Sequence, residues 1–225
     1  MNSRAFTHVL TVCLVMSGLS ACGSDKSQIS TTTALKTVAT TMTSALRKKP
    51  EAASSGIGLT RAELANIVTP VDLVTIERRG AQGVIAKTGS NRGVETWSSL
   101  DHKTLSLREG VIVATRGLGD DLMSAAVPRA GQLRSASQSH QRVHVVLNGE
   151  DAPVSLRFNC SVSNQGAESI IVVEQAYATQ HMRENCSGTS GGFTNDFWFQ
   201  PGGKLRKSRQ WISDSVGYVV IEHLL

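Results

Sequence analysis

The chain has 225 residues, 40% of them apolar and 18% charged, with 23 basic against 18 acidic side chains. That apolar content excludes disorder throughout, and the length suits one ordinary domain better than two. The mild positive balance fits proximity to acidic lipid or an acidic polysaccharide, and the export signal described next argues against nucleic acid as a partner.

At the N-terminus, Arg4 is the only formal charge before an apolar stretch over 5–16, and Ser17 and Gly18 loosen the chain after it. This pattern predicts a signal peptide over 1–21, too short to span a bilayer, for which roughly 20 apolar residues are needed. Leu19-Ser20-Ala21-Cys22 resembles the lipobox of bacterial lipoproteins. The resemblance implies cleavage before Cys22, diacylglycerol on its sulfur and an N-acyl chain such as palmitate. At about 0.8 kcal/mol per buried methylene, several acyl chains hold a protein at a membrane durably. The competing reading is an ordinary signal peptide with Cys22 after the cut, but an A-x-A-like site is absent. Gly23 and Ser24 follow the cysteine; by the sorting rule of enterobacterial lipoproteins, the absence of Asp there implies the outer membrane, facing the periplasm. The mature chain then carries 22 basic and 18 acidic residues, or +4.

Residues 22–58 read as a lipid-anchored tether. Within it, Leu35, Val38, Ala39, Met42, Ala45 and Leu46 recur at helical spacing over 31–49, and Pro50 follows Arg47, Lys48 and Lys49. This predicts an amphipathic helix that docks on the domain or, alternatively, lies on the membrane. Residues 59–225 read as one β-rich periplasmic domain. Thr60 and Glu63 form a capping box for a short helix ending near Pro70. Strands are expected at 71–77, 83–87, 94–98, 104–108 and 111–115, with Glu109-Gly110 turning the last pair. A serine-rich loop is expected over 134–141, then strands at 143–147 and 154–158 around Asn148-Gly149. The β-branched run 169–178 predicts a central strand, followed by a Gly/Ser loop. Strands at 193–200 and 204–212 flank Pro201-Gly202-Gly203, and 215–224 closes the chain. The expected class is mainly β: an antiparallel β-sandwich or partly open barrel with one or two N-terminal helices.

Of four cysteines, Cys13 leaves with the signal and Cys22 takes lipid. Cys160 and Cys186 remain, and an oxidising compartment favours a disulfide between them. No C-x-x-C suggests a redox role. Gly188-Thr189-Ser190-Gly191-Gly192 satisfies G-x-S-x-G, but strand-like sequence follows where a nucleophile elbow needs a helix. His102, His140, His144 and His181 are candidate bases, none singled out. His140 and His144 form H-x-x-x-H, which loses its metal-binding sense on a strand, so solvent-exposed histidines and no metal are expected. Arg116, Asp120 and Asp121 sit in a glycine turn, read either as a sugar or cation site or as a turn held by an Arg116–Asp pair. Lys204, Arg206, Lys207 and Arg209 lie beside Trp198 and Trp211. This mix reads as an acidic-glycan surface or as a charged edge strand that resists pairing. Alternation sets Lys204 and Arg206 on one face, and Lys207, Arg209 and Trp211 on the other.

Val94-Glu95-Thr96-Trp97, the run 110–123 containing Thr115-Arg116-Gly117-Leu118-Gly119-Asp120-Asp121-Leu122, and Ser208-Arg209-Gln210-Trp211 with Gly217-Tyr218 resemble the YjbF/GfcB lipoproteins. These are associated with exopolysaccharide and group 4 capsule production. The resemblance implies a β-rich periplasmic domain on a lipid anchor, working with polysaccharide export or assembly proteins, and supplies no catalytic residue. The expectation is therefore a non-enzymatic accessory or binding protein without cofactor beyond its lipid. A periplasmic hydrolase using Ser190 and a lipid or glycolipid carrier are the alternatives.

Overall fold

The computed structural model describes residues 57–136 and 139–224; the signal peptide, the lipidation site and the helix expected over 31–49 lie outside them. Alternating side chains fold nearly all the rest into strands: β1 (Val71–Ile76), β2 (Ala81–Asn91), β3 (Val94–Ser98), β4 (Thr104–Arg108), β5 (Val111–Arg116), β6 (Ser124–Ala126), β7 (Ser139–Leu147), β8 (Pro153–Val172), β9 (Gln175–Gly188), β10 (Gly191–Phe199), β11 (Leu205–Ser213) and β12 (Gly217–His223). Two one-turn α-helices, α1 (Arg61–Leu64) and α2 (Ala130–Leu133), and a 3-10 turn over Glu77–Arg79 complete it.

All twelve strands share one antiparallel sheet in the order β5-β4-β3-β2-β1-β12-β11-β10-β9-β8-β7-β6. Each strand pairs with its sequence neighbours, except that β1 pairs with β12 while β5 and β6 face each other across a seam. Thr115 N donates to Leu122 O at 2.9 Å and Met123 N to Val145 O at 2.8 Å beside that seam. The sheet therefore curls into a nearly closed barrel, and of the two expected architectures the sandwich is set aside.

Strand alternation assigns the faces. On β1, Val74 and Ile76 point inward with Ile85, Trp97, Leu107, Ile212, Val219 and Ile221. Val71 and Leu73 point outward, where Leu59 and Leu64 cover them together with Val84 and Ala86. This strand is buried on both sides, which explains its nearly unbroken apolar sequence. A further interior cluster joins Val111, Val162, Met182, Phe197 and Phe199.

The capping box forms as expected: Thr60 N donates to Glu63 Oε2 at 2.8 Å and Glu63 N to Thr60 Oγ1 at 3.3 Å. Three other expectations are corrected. The run 169–178 is not one strand but a hairpin, turning at Val173-Glu174 with φ of 42° and 63°. No glycine or asparagine announces this turn. Arg61 holds it instead, donating to Val172 O at 2.6 Å, Val173 O at 2.8 Å and Tyr177 Oη at 2.9 Å, while Glu174 Oε2 accepts from Arg61 N at 3.0 Å. The loop expected after 178 is the body of β9, whose polar side chains alternate with buried Met182, Glu184 and Cys186. The loop expected over 134–141 is shorter, because β7 begins at Ser139.

Candidate functional site: a cleft at one end of the barrel

Asp72 on β1 and His223 on β12 are direct partners across the ladder that joins the first and last strands. Both lie on the inward-facing register, one position beyond the aliphatic layer. His223 Nδ1 lies 2.8 Å from Asp72 Oδ2, and Asp72 is only 3% exposed. The other ring nitrogen, Nε2, is buried and lacks a hydrogen-bond partner. It faces Gly110, in the β4–β5 turn. A Cβ on Gly110 would stand 2.6 Å from Leu205 Cδ2 and 3.3 Å from His223 Nε2, and its φ is +82°. Glycine is therefore required there both by conformation and by space. From β11, buried Gln210 reaches across the interior to fix this turn. Its Nε2 donates to Gly110 O at 2.9 Å, and its Oε1 accepts from Ile112 N at 2.9 Å.

Between this turn and β1–β3 lies a cleft of about 440 Å³. Its walls include Trp97, Leu107 and Leu205; its polar lining includes Asp72, His223, Lys87 and Glu95, with Glu109 and Lys204 also present. Lys87 and Glu95 form an ion pair, and Trp97 Nε1 donates to Glu95 Oε2 at 3.3 Å. Burial, followed by the charge of Arg206, lowers the Lys204 ammonium below its ordinary value, with Asp72 acting in the opposite sense.

The opposite side of the interior, from β7 to β10, is closed over a second polar cluster. Glu184 is fully buried and accepts from Arg142 Nε at 2.7 Å and Asn195 Nδ2 at 2.7 Å, with His140 Nε2 at 2.6 Å. Burial would raise this carboxyl, but the Arg142 charge and the three hydrogen bonds outweigh it and hold the group at about 2. His144 is 1% exposed and lies near Phe158, Phe193 and Trp211. Burial and then Arg142 lower it to about 4, so it is neutral at pH 7. The expectation that His140 and His144 face solvent is thus corrected: positions i and i+4 on a strand share a face, and here that face is the interior. His140, Cys160 and Glu184 place ligand-type atoms within 4.8 Å of one another. However, the Cys160 sulfur is bonded to Cys186, and Arg142 already occupies the carboxylate, so the set offers no thiolate and no free anion to a metal.

The other candidates from sequence do not converge. Asp121 organises the β5–β6 loop, accepting from Thr115 Oγ1 at 2.6 Å, Gly117 N at 2.7 Å and Leu118 N at 3.1 Å. Arg116 donates to the carbonyls of Leu122 and Met123, both at 3.2 Å, so main-chain contacts take the role expected of an Arg116–Asp pair. Asp120 gives its carbonyl to Ser213 Oγ at 2.9 Å. Arg209 makes two 2.8 Å bonds to Glu77 and lies 3.4 Å from the Tyr218 ring centroid. Arg206 lies over Tyr177 at 4.4 Å, and Trp211 stacks on Phe193 at 4.7 Å. Ser190 sits in the exposed turn between β9 and β10, flanked by strands on both sides. Its neighbouring glycines serve close packing: a Cβ on Gly188 would lie 2.3 Å from Arg157 O, and one on Gly192 2.8 Å from Cys186 O.

The cleft residues Asp72 and His223 were missed by motif reading. The available signal was a charged or titratable residue on the apolar register of the first and last strands, within VDLVTI and GYVVIEH.

Comparisons with known proteins give three findings. A family model described as "Group 4 capsule polysaccharide lipoprotein gfcB, YjbF" matches residues 35–224. No curated protein matches. The crystal structure of the hypothetical lipoprotein YmcC from Escherichia coli K12 superposes with a TM-score of 0.65 at 17% identity, over 75% of this chain and 89% of that one. At that identity the likeness establishes the fold.

Proposed function

We propose, because this chain belongs to the YjbF family of group 4 capsule polysaccharide lipoproteins, that it is an outer-membrane lipoprotein assisting the production or secretion of an exopolysaccharide or capsule. It works as a non-enzymatic accessory or binding protein on the periplasmic face. Its anchor is Cys22, carrying diacylglycerol and an N-acyl chain such as palmitate, and its partners are polysaccharide export or assembly proteins. The family match over 35–224 carries this reading. Two features of the barrel support it. Packed side chains occupy most of the interior, and the spaces they leave, of about 440 and 240 Å³, are small for the several acyl chains of a carried lipid. Ser190 stands in a strand–turn–strand setting, which lacks the helix that a nucleophile elbow requires.

Replacing the anchor tests the reading. Cys22→Ser is expected to leave the barrel folded, release it from the outer membrane on fractionation and abolish polysaccharide output. Unchanged output from released protein would overturn it.

A further inference from the structure

The basic strand and the Arg116–Asp121 loop were the candidate glycan contacts, and their side chains make local contacts. The cleft at His223 is different: it combines an open volume, fixed walls and a buried nitrogen without a partner. Resting on the polysaccharide reading above, we propose that this cleft binds an uncharged hexose unit, with His223 Nε2 hydrogen-bonded to one of its hydroxyls.

Size and shape come first. A cleft of about 440 Å³ falls within the range of about 300–1,000 Å³ usual for small-ligand sites. Trp97, Leu107 and Leu205 supply apolar wall suited to the C–H faces of a pyranose. Charge selects among sugars. Asp72, Glu95 and Glu109 bring three carboxylates to the cleft and Lys87 and Lys204 two ammonium groups, while Arg129 pairs with Glu109 from beside it. These charges balance, so a uronate carboxylate would find no surplus cation there, whereas neutral hydroxyls can donate to carboxylates and accept from lysine. The site is also set before any ligand arrives. Asp72 orients the His223 ring, Glu95 is held by Lys87 and Trp97, and Gln210 holds the Gly110 turn. A hydroxyl at Nε2 would satisfy a buried polar atom that is otherwise unmatched.

The test uses the full chain in a detergent without a sugar headgroup, with saturation-transfer NMR and four probes: D-glucose, D-galactose, N-acetyl-D-glucosamine and D-glucuronate. Saturable transfer to at least one of the three uncharged sugars is expected. His223→Phe should weaken it at least tenfold. Because that change also strips Asp72 of its partner, Ser90→Trp serves as a second variant: it lines the cleft from an exposed strand position. It should reduce binding at least tenfold with an unchanged melting temperature. No transfer to any uncharged sugar, transfer to glucuronate alone, or wild-type affinity in folded Ser90→Trp would each overturn the proposal. The two readings fail separately. Absent sugar binding with polysaccharide output still dependent on the anchor removes only the cleft assignment. Sugar binding with output indifferent to deletion of the protein removes only the capsule role.

Discussion

The two sides of the barrel treat charge in opposite ways. Between β7 and β10, Glu184 and Arg142 are enclosed, with exposures of 0% and 2%, and three residues answer the carboxylate. Between β1–β3 and β12, charged groups line an open cleft above an aliphatic layer, and one imidazole nitrogen is left unanswered. Enclosure satisfies the Glu184 carboxylate, whose partners His140, Arg142 and Asn195 come from adjacent strands at fixed register, while Arg142 Nη2, His140 Nδ1 and both His144 ring nitrogens stay buried without a hydrogen-bond partner. At the end of the barrel, where the β4–β5 turn closes on Leu205 and His223, the same kinds of group line an open cleft. One side is committed to holding the structure, and the other retains capacity for a ligand.

This contrast can be broken or sharpened by substitution. Glu184→Ala leaves a buried guanidinium uncompensated and should cost about 3–5 kcal/mol in urea unfolding; a loss below about 1 kcal/mol would erase the distinction. Replacing Cys160 and Cys186 together with alanine removes a bridge spanning 26 residues and should cost about 3–4 kcal/mol, seen as a lower urea midpoint. Acid should act on the closed side in two stages. His144 is held near 4, so from about pH 6.5 downward the unfolded ring takes a proton that the buried ring refuses. Stability therefore drops by about 3 kcal/mol as pH falls to 4. Glu184, held near 2 against an ordinary 4.5, stabilises the fold above pH 4.5, and that contribution is lost as pH falls towards 2. His144→Phe should flatten the first stage and leave the second; a pH–stability curve identical to wild type would refute the assignment. The smallest effect belongs to the cleft: Lys87→Ala breaks a half-exposed pair and should cost under about 1 kcal/mol by the same urea titration.

Much of the fold was legible because period-2 alternation and turn chemistry are local. Glu109-Gly110 turns β4 into β5 with positive φ at both residues, as its sequence predicts. Asn148 sits at the β7–β8 turn, its side chain accepting from Glu150 N and Ala152 N at 3.0 and 2.9 Å. The disulfide followed from elimination among the cysteines. What could not be read depends on residues distant in sequence. The Val173-Glu174 turn depends on Arg61, 111–116 positions away, and overrides a strong strand propensity. The interior placement of Arg142 and His144 required knowing which face of β7 turns inward, and a strand of mixed composition does not say. The cleft was the least legible feature, since its two central residues lie 151 positions apart.

That separation has a consequence in time. A chain made from its N-terminus supplies β1 early, yet the partner for one edge of β1 is the last strand to appear. Long-range pairing of this kind is entropically costly and slow to form, and an unpaired strand edge invites association with other chains until it is filled. Asp72 waits for His223 across the same interval. A product broken off before β12 could assemble most of its hairpins and still lack the wall that His223 supplies, so the site exists only on molecules in which β12 has been made.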